Sequence, residues 1–277
     1  MISGAACKRF PVGRRVFLAS ASMLLPQALL SASGDDGSAL AQAVSDRPVG
    51  ANVSTRTQMD LTEKGRPARR RELVTYRVSK GRGASANLIR FLEPQDVAGT
   101  GLLSITNADG SSEQSLYLPA LDRVRRISGD RKGGRFAGSD LYYEDLQERQ
   151  PSKDRHRILG RETVAGITFD VLESSPIDPT DSVYKKRVSW IDPQTMLVHR
   201  VDYFERDEVQ PSKRFELLAS KRIQGYWTVT DSRVTDLGSG HVTRMVVDTV
   251  KYDRKLPAQL FSSKALADES LESDFRP

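Results

Sequence analysis

Thirteen short segments rich in β-branched and aromatic residues, from Val53–Leu61 to Val242–Tyr252, recur along the chain with a turn signal every ten residues or so. That rhythm argues for an antiparallel sheet. Lys64-Gly65, Asn107-Ala108-Asp109-Gly110, Asp192-Pro193-Gln194-Thr195 and Gly238-Ser239-Gly240 supply the positive φ or fixed proline φ that tight turns need. In the C-terminal half the period is two: Leu197, His199, Val201 and Tyr203 share one strand face, Val198, Arg200 and Asp202 the other. Met245 and Val247 likewise oppose Arg244 and Asp248. A sheet with one drier face must cover it. Helical material is scarce: Ser139–Glu148, with Ser139 or Asp140 as cap, and Pro257–Ala267 are the candidates. Two short helices cannot sheathe so many flat strands, so the sheet should curl around its own apolar face and leave a cavity.

The N-terminus reads as an address. Lys8, Arg9, Arg14 and Arg15 precede a mostly apolar run, Val16–Leu30, and small residues follow, the layout of a cleaved secretory signal. The run is broken by Ser20, Ser22, Pro26 and Gln27 and falls short of the roughly 20 apolar residues a spanning helix needs, so no permanent membrane span is expected. Gly13-Arg14-Arg15-Val16-Phe17-Leu18 resembles a twin-arginine export signal. Cleavage after Ser33, Ala41 or Ala43 suits the small-residue rule, the latter two better. The chain therefore divides into an export signal with a flexible cleavage region, 1–43, and one β-rich domain, 44–277, with Gly34–Asp46 as a tether. The implied compartment is the periplasm of a bacterial envelope.

Cys7, the only cysteine, lies ahead of the apolar run, so the exported domain is expected to hold no thiol and no disulfide and to rely on apolar burial. The formal charge of +6 includes the four basic residues of the signal, and elsewhere Arg and Lys alternate with Asp and Glu. Nucleic-acid binding calls for a concentrated basic patch with stacking aromatics, which is not the pattern here. The densest cluster, Arg66–Arg71, reads as a solvated hairpin.

Catalytic patterns are missing from the sequence. His156, His199 and His241 stand on separate segments without metal-ligand spacing, and no serine sits in a nucleophile elbow. Asp140, Glu144 and Asp145 read as capping and salt-bridging groups rather than a calcium loop. Ser128–Ser139, with Gly129, Gly133, Gly134 and Gly138 among Arg131, Lys132 and Arg135, meets neither phosphate-loop spacing and reads as a structural turn between sheet and helix. Neither catalysis nor a cofactor or metal is expected.

The central third carries a recognisable signature: Leu116-Tyr117-Leu118-Pro119-Ala120-Leu121, Arg123-Val124-Arg125-Arg126-Ile127, Lys132-Gly133-Gly134, Phe136, Gly138-Ser139-Asp140 and Tyr143-Glu144-Asp145-Leu146. Arg90-Phe91-Leu92-Glu93-Pro94, Asp96-Val97-Ala98-Gly99-Thr100 and Gly225-Tyr226-Trp227 support it. In these residues the chain resembles the outer-membrane lipoprotein-sorting proteins, relatives of the LolA/LolB lipoprotein carriers, from about Asn52 to Leu266. The resemblance implies a mainly β fold, a curved antiparallel sheet forming an incomplete β-barrel, with a few short helices over the concave face. It also implies an apolar pocket for acyl chains, whose transfer through water requires hiding about 0.8 kcal/mol per CH₂.

Leu118, Phe136, Leu141, Tyr142 and Tyr143 are the residues expected to line a lipid pocket. The expected cargo is a lipid or lipoprotein, exchanged with an inner-membrane transporter or an outer-membrane acceptor. Arg125, Arg126, Arg131 and Lys132 are the expected protein contacts, either for such a partner or for an envelope transporter complex on which the protein docks as a non-catalytic accessory subunit.

Overall fold

The computed structural model of the protein describes residues 35–206 and 208–277. The basic n-region, the apolar run Val16–Leu30 and Cys7 lie outside the described residues. Each expected strand segment coincides with one strand, with ends differing by a few residues: β1 (Asn52–Thr62), β2 (Arg69–Gly81), β3 (Ala84–Glu93), β4 (Gly101–Thr106), β5 (Ser112–Leu118), β6 (Arg123–Arg126), β7 (Asp154–Val164), β8 (Ile167–Pro176), β9 (Tyr184–Ile191), β10 (Val198–Glu205), β11 (Lys213–Ile223), β12 (Tyr226–Asp236) and β13 (Val242–Tyr252).

They form one 13-stranded sheet in the order β6-β5-β4-β3-β2-β1-β13-β12-β11-β10-β9-β8-β7, antiparallel throughout. Two meanders are thus sewn together along β1 and β13, and β6 and β7 are left as unpaired edges. The sheet is not closed into a barrel. Laid flat, thirteen strands would extend roughly 58 Å at the usual inter-strand spacing. Yet Gln150, just ahead of edge strand β7, donates to Gly83 O at 3.3 Å and Asn107 O at 3.0 Å, in the β2–β3 and β4–β5 turns of the other half of the strand order. The sheet therefore curls until its edges approach.

Alternation along the strands separates two faces. Odd-numbered β2 residues, Leu73 with Thr75 and Arg77, look inward with Met59 and Leu61 of β1 and Ile89 and Phe91 of β3. Even-numbered ones, Val74 and Tyr76, look outward with Ala86, Leu88 and Leu103. The outer face is covered by the C-terminal segment, including α2 (Ser263–Ala267), whose Leu260, Phe261 and Leu266 complete a dense cluster. Ser262 caps α2 by accepting from Ala265 N.

The inner face is covered differently. The connection from β6 to β7, residues 127–153, must cross from one edge of the sheet to the other, and it lies across the inner face as short 3-10 turns. The helix expected over Ser139–Glu148 is not formed, and only Glu144–Leu146 makes a 3-10 turn. Ser139 Oγ accepts from Leu141 N at 3.2 Å and Asp145 accepts from Tyr142 N at 2.7 Å. Such local side-chain bonds compete with helical ones.

A second correction concerns Gly34–Asp46. Its described part is no tether but an α-helix, α1 (Asp35–Ser45), packed on β7 and β8 with Ala41 buried against Leu172 and Ile191. Gly37 allows this approach: a Cβ there would come within 2.7 Å of the His156 backbone. The Arg66–Arg71 cluster also divides, since Arg66, Arg69 and Arg70 are exposed while Arg71 is buried on the inner face.

Candidate functional site

The crossing segment begins its descent at Arg135. Arg135 and Tyr142 form a bridge closed by Phe136 N donating to Leu141 O at 2.8 Å, with Ala137 (φ 49°) and Gly138 (φ 71°) at the tip. This small hairpin drives Phe136 into the inner face. Its ring stacks on Phe91 at 5.3 Å and meets Tyr143 edge-on at 6.0 Å. Arg71 donates to Ala137 O and lies 5.5 Å from the centre of the Phe91 ring.

Beyond the hairpin, polar side chains pin the segment to strands on both halves of the sheet. Asp140 receives hydrogen bonds from Arg135, His241 Nδ1 (2.6 Å) and Thr243 Oγ1 (2.7 Å). Gln114 donates to Tyr143 O at 2.9 Å, and Glu144 accepts from Ser182 Oγ and Val183 N. Asp145 accepts from Tyr184 OH at 2.8 Å and from Lys213 Nζ. Lys213 is buried inside three rings, 3.8 Å from the centre of Tyr142, 4.8 Å from Tyr203 and 5.0 Å from Tyr184. Burial holds its ammonium below the usual lysine range despite the attraction of Asp145, and burial with Asp145 pushes the Tyr184 phenol well up. Near the end of the segment, Glu148 pairs with Arg77, and Arg149 binds Asp154 (2.9 Å) and Asp181 (3.2 Å).

Two spaces remain between this cover and the sheet. One, of about 350 Å³, lies under Phe136, Leu141 and Leu146, with Met59, Leu73, Phe215, Met245 and Val247 as walls. Its lining is predominantly apolar, with Asn87 among the few polar groups. The other, of about 590 Å³, lies between α1, the end of the crossing segment and β8–β10, and has mixed walls, with Arg47, Arg77, Arg187 and Asp154 set among Val44, Leu172, Ile191 and Val201. Volumes of this size fall in the range of small-molecule sites, roughly 300–1,000 Å³.

Of the residues expected to line a lipid pocket, Phe136 and Leu141 border the apolar space. Tyr143 packs on the same core from the side, and Tyr142 turns away to stack on Tyr184 and donate to Glu205 at 3.0 Å. Leu118, half-buried at the end of β5, borders neither space. Arg125, Arg126 and Arg131 are exposed on and after edge strand β6, whereas Lys132 is tied to Asp181 at 3.1 Å. The strand walls of the cavity were visible only as period-two faces. The Lys213 cage left no local signal, because its partners come from positions 29 and 68 residues away.

The histidines keep separate partners: His156 Nε2 donates to Pro151 O, His241 bonds to Asp140, and His199 lies against Phe169. Among the described residues no group of three or more His, Cys, Asp or Glu could hold a metal, and no helix is long and apolar enough to cross a membrane.

An open antiparallel sheet curled over a covered apolar space defines a class, the LolA-like fold. A LolA superfamily protein from Nitrosomonas europaea shares it at a TM-score of 0.66 and 16% identity, over 83% of this chain and 98% of that one. Two structures are nearer. A DUF1329 family protein from Desulfovibrio piger is 29% identical at a TM-score of 0.79, over 84% of this chain and 98% of that one. A protein named for outer membrane lipoprotein sorting, from Vibrio parahaemolyticus, is 28% identical at 0.79, over 84% and 99%. A family model described as "uncharacterized protein" matches residues 83–268. No curated protein matches. The chain belongs to the DUF1329 family.

Proposed function

We propose that the protein is a periplasmic carrier or chaperone that shelters a lipid, or the lipid-modified end of a protein, on the inner face of its sheet. The observation that supports this most is the apolar space of about 350 Å³ under the Phe136 hairpin. The cover packs Phe136 and Leu141 on the inner core and is pinned elsewhere by hydrogen bonds and ion pairs, so it can shift without opening the outer core. Each methylene taken from water into such a space gains about 0.8 kcal/mol, so binding needs no catalytic group. Native mass spectrometry of the protein purified from cell envelopes should show an added mass matching a lipid or acylated peptide. Preparations that are always ligand-free, and that bind no acyl compound when offered one, would overturn the reading.

The reading includes export directed by residues 1–43, and α1 favours one of the three cleavage positions. A cut after Ala41 or Ala43 would remove most of a helix that walls the larger space, whereas a cut after Ser33 keeps it intact. The mature chain is therefore expected to start next to Asp35, which the mass of the exported protein checks.

A second reading, a fixed accessory subunit on an envelope transporter, is favoured by the exposed Arg125, Arg126 and Arg131 beside an unpaired sheet edge. Charge pairing there would speed docking. Stable crosslinking to one membrane partner without extractable lipid would support it over the carrier.

A further inference from the structure

Buried polar atoms normally find partners, and those that do not call for a reason. Among the described residues, two such atoms without a partner face the inner side of the sheet, Arg77 Nη1 and Asn87 Oδ1. They belong to residues directly opposed across β2 and β3. Side chains so paired stand about 5 Å apart at Cβ. The pair also marks a boundary, for Asn87 lines the apolar space and Arg77 the larger one, where charged side chains first appear in the walls. Glu148 holds the Arg77 Nε edge, leaving the Nη1 edge turned away from the ion pair.

We propose that this pair reads the linkage of the cargo: the site takes one acyl chain joined through an amide, with the chain in the apolar space and the amide between Arg77 and Asn87. The inference rests on the carrier reading and adds a ligand class to it. Arg77 Nη1 can only donate and Asn87 Oδ1 can only accept. A secondary amide offers both complements on one planar unit, its carbonyl to Arg77 and its N–H to Asn87. An ester offers the carbonyl alone and leaves Asn87 unpaired. A buried group left unpaired costs roughly 5- to 150-fold in affinity. Size restricts the apolar part. At roughly 30 Å³ for a water-sized unit, close to that of a methylene, about 350 Å³ accepts about a dozen carbons. One medium chain fills the apolar space. Whatever follows the amide enters the larger space, whose walls are mixed.

Calorimetric titration of the full exported protein with a matched pair, N-dodecanoylglycine and O-dodecanoylglycolate, tests this, because the two differ only in N–H against O. The amide is expected to bind at least about tenfold tighter, and Asn87→Leu, which removes the acceptor at nearly constant shape, should erase the difference while keeping chain binding. Arg77→Gln should weaken both ligands alike. In a series of N-acylglycines, affinity should rise about fourfold per methylene and level off near twelve carbons. Equal binding of amide and ester by the wild type, as ordered water at the pair would produce, overturns the inference and leaves the carrier standing. So does a preference that survives Asn87→Leu. Binding of neither compound at any chain length strikes the carrier reading itself.

Discussion

Strands β2, β3 and β4 are covered twice, and the two covers differ. Outward, Leu260, Phe261 and Leu266 fit between Val74, Tyr76, Leu88 and Leu103, and Arg90 is sealed within the same layer. Its guanidinium donates to Gly99 O (2.7 Å), Ala265 O (2.9 Å) and Leu266 O (3.0 Å) and pairs with Glu272. Inward, the Phe136 hairpin touches the same strands but leaves a space, and its edges are fixed by single hydrogen bonds and ion pairs to β5, β11 and β13. One cover fills its layer, while the other packs Phe136 and Leu141 on a core and still encloses a volume. The same sheet thus carries a closed core on one face and a core with room beside it on the other.

The sharpest way to break that contrast is Arg90→Ala. It strands three carbonyls in the outer layer and leaves Glu272 only the longer contact to Arg276 (3.6 Å), and losing one partner of a buried pair costs about 3–5 kcal/mol. Urea unfolding should show this as a lowered midpoint with unchanged slope, while binding of an acyl ligand by the folded fraction stays as in the wild type. A loss of ligand affinity matching the loss of stability would mean the two faces are not separable.

Paired truncations come next. Leu266→Ala opens a void in a filled layer and should cost about 2–5 kcal/mol, whereas Met245→Ala, whose side chain already borders a space, should cost about 1 kcal/mol. The second change also lengthens the apolar space, so its optimum acyl length should move up by one or two carbons. Equal costs for the two variants would show that the inner space is collapsed in solution.

How much of this contrast the amino-acid sequence disclosed depends on distance along the chain. Strands were legible because alternation and turn residues are local: Met245 and Val247 against Arg244 and Asp248 already divided the faces. Phe136 and Leu141, expected at a lipid pocket, border the inner apolar space. The path of residues 127–153 was not, since its direction is fixed by Asp140 reaching Thr243, 103 positions on, and Glu144 reaching Ser182, 38 positions on. Where a helix was expected at Ser139–Glu148, the same polar side chains that suggested caps instead bind the backbone of their own segment or distant strands. At α1 the error came from composition: Gly37, Ser38 and alanines read as a linker, but small residues are what a helix needs to lie close against β7.

The smallest expected effect is one of pH, and it also separates the faces. In the outer layer burial pushes the Glu272 carboxyl above its ordinary 4.5, more than the charges of Arg90 and Arg276 pull it down. Where the inner cover is tied to the sheet and its turns, burial also raises Asp181 and Asp236, but Lys132 and Arg149 on the first, and Ser239 N–H with Arg135 on the second, outweigh it and hold both below 3.8. A raised carboxyl contributes stability that is complete below 4.5 and is lost as pH rises through its folded value. A lowered one contributes above 3.8 and is lost as pH falls through its folded value. Acid should therefore loosen the crossing segment while the outer layer gains. Asp181 and Asp236 are partly exposed, so solvent screening limits their combined share to about 1 kcal/mol. Between pH 3 and 7, the double variant Asp181→Asn with Asp236→Asn should flatten the acid limb of a stability profile, and Glu272→Gln should flatten the decline above pH 4.5. An acid limb untouched by the double variant would place the acid-sensitive contacts elsewhere.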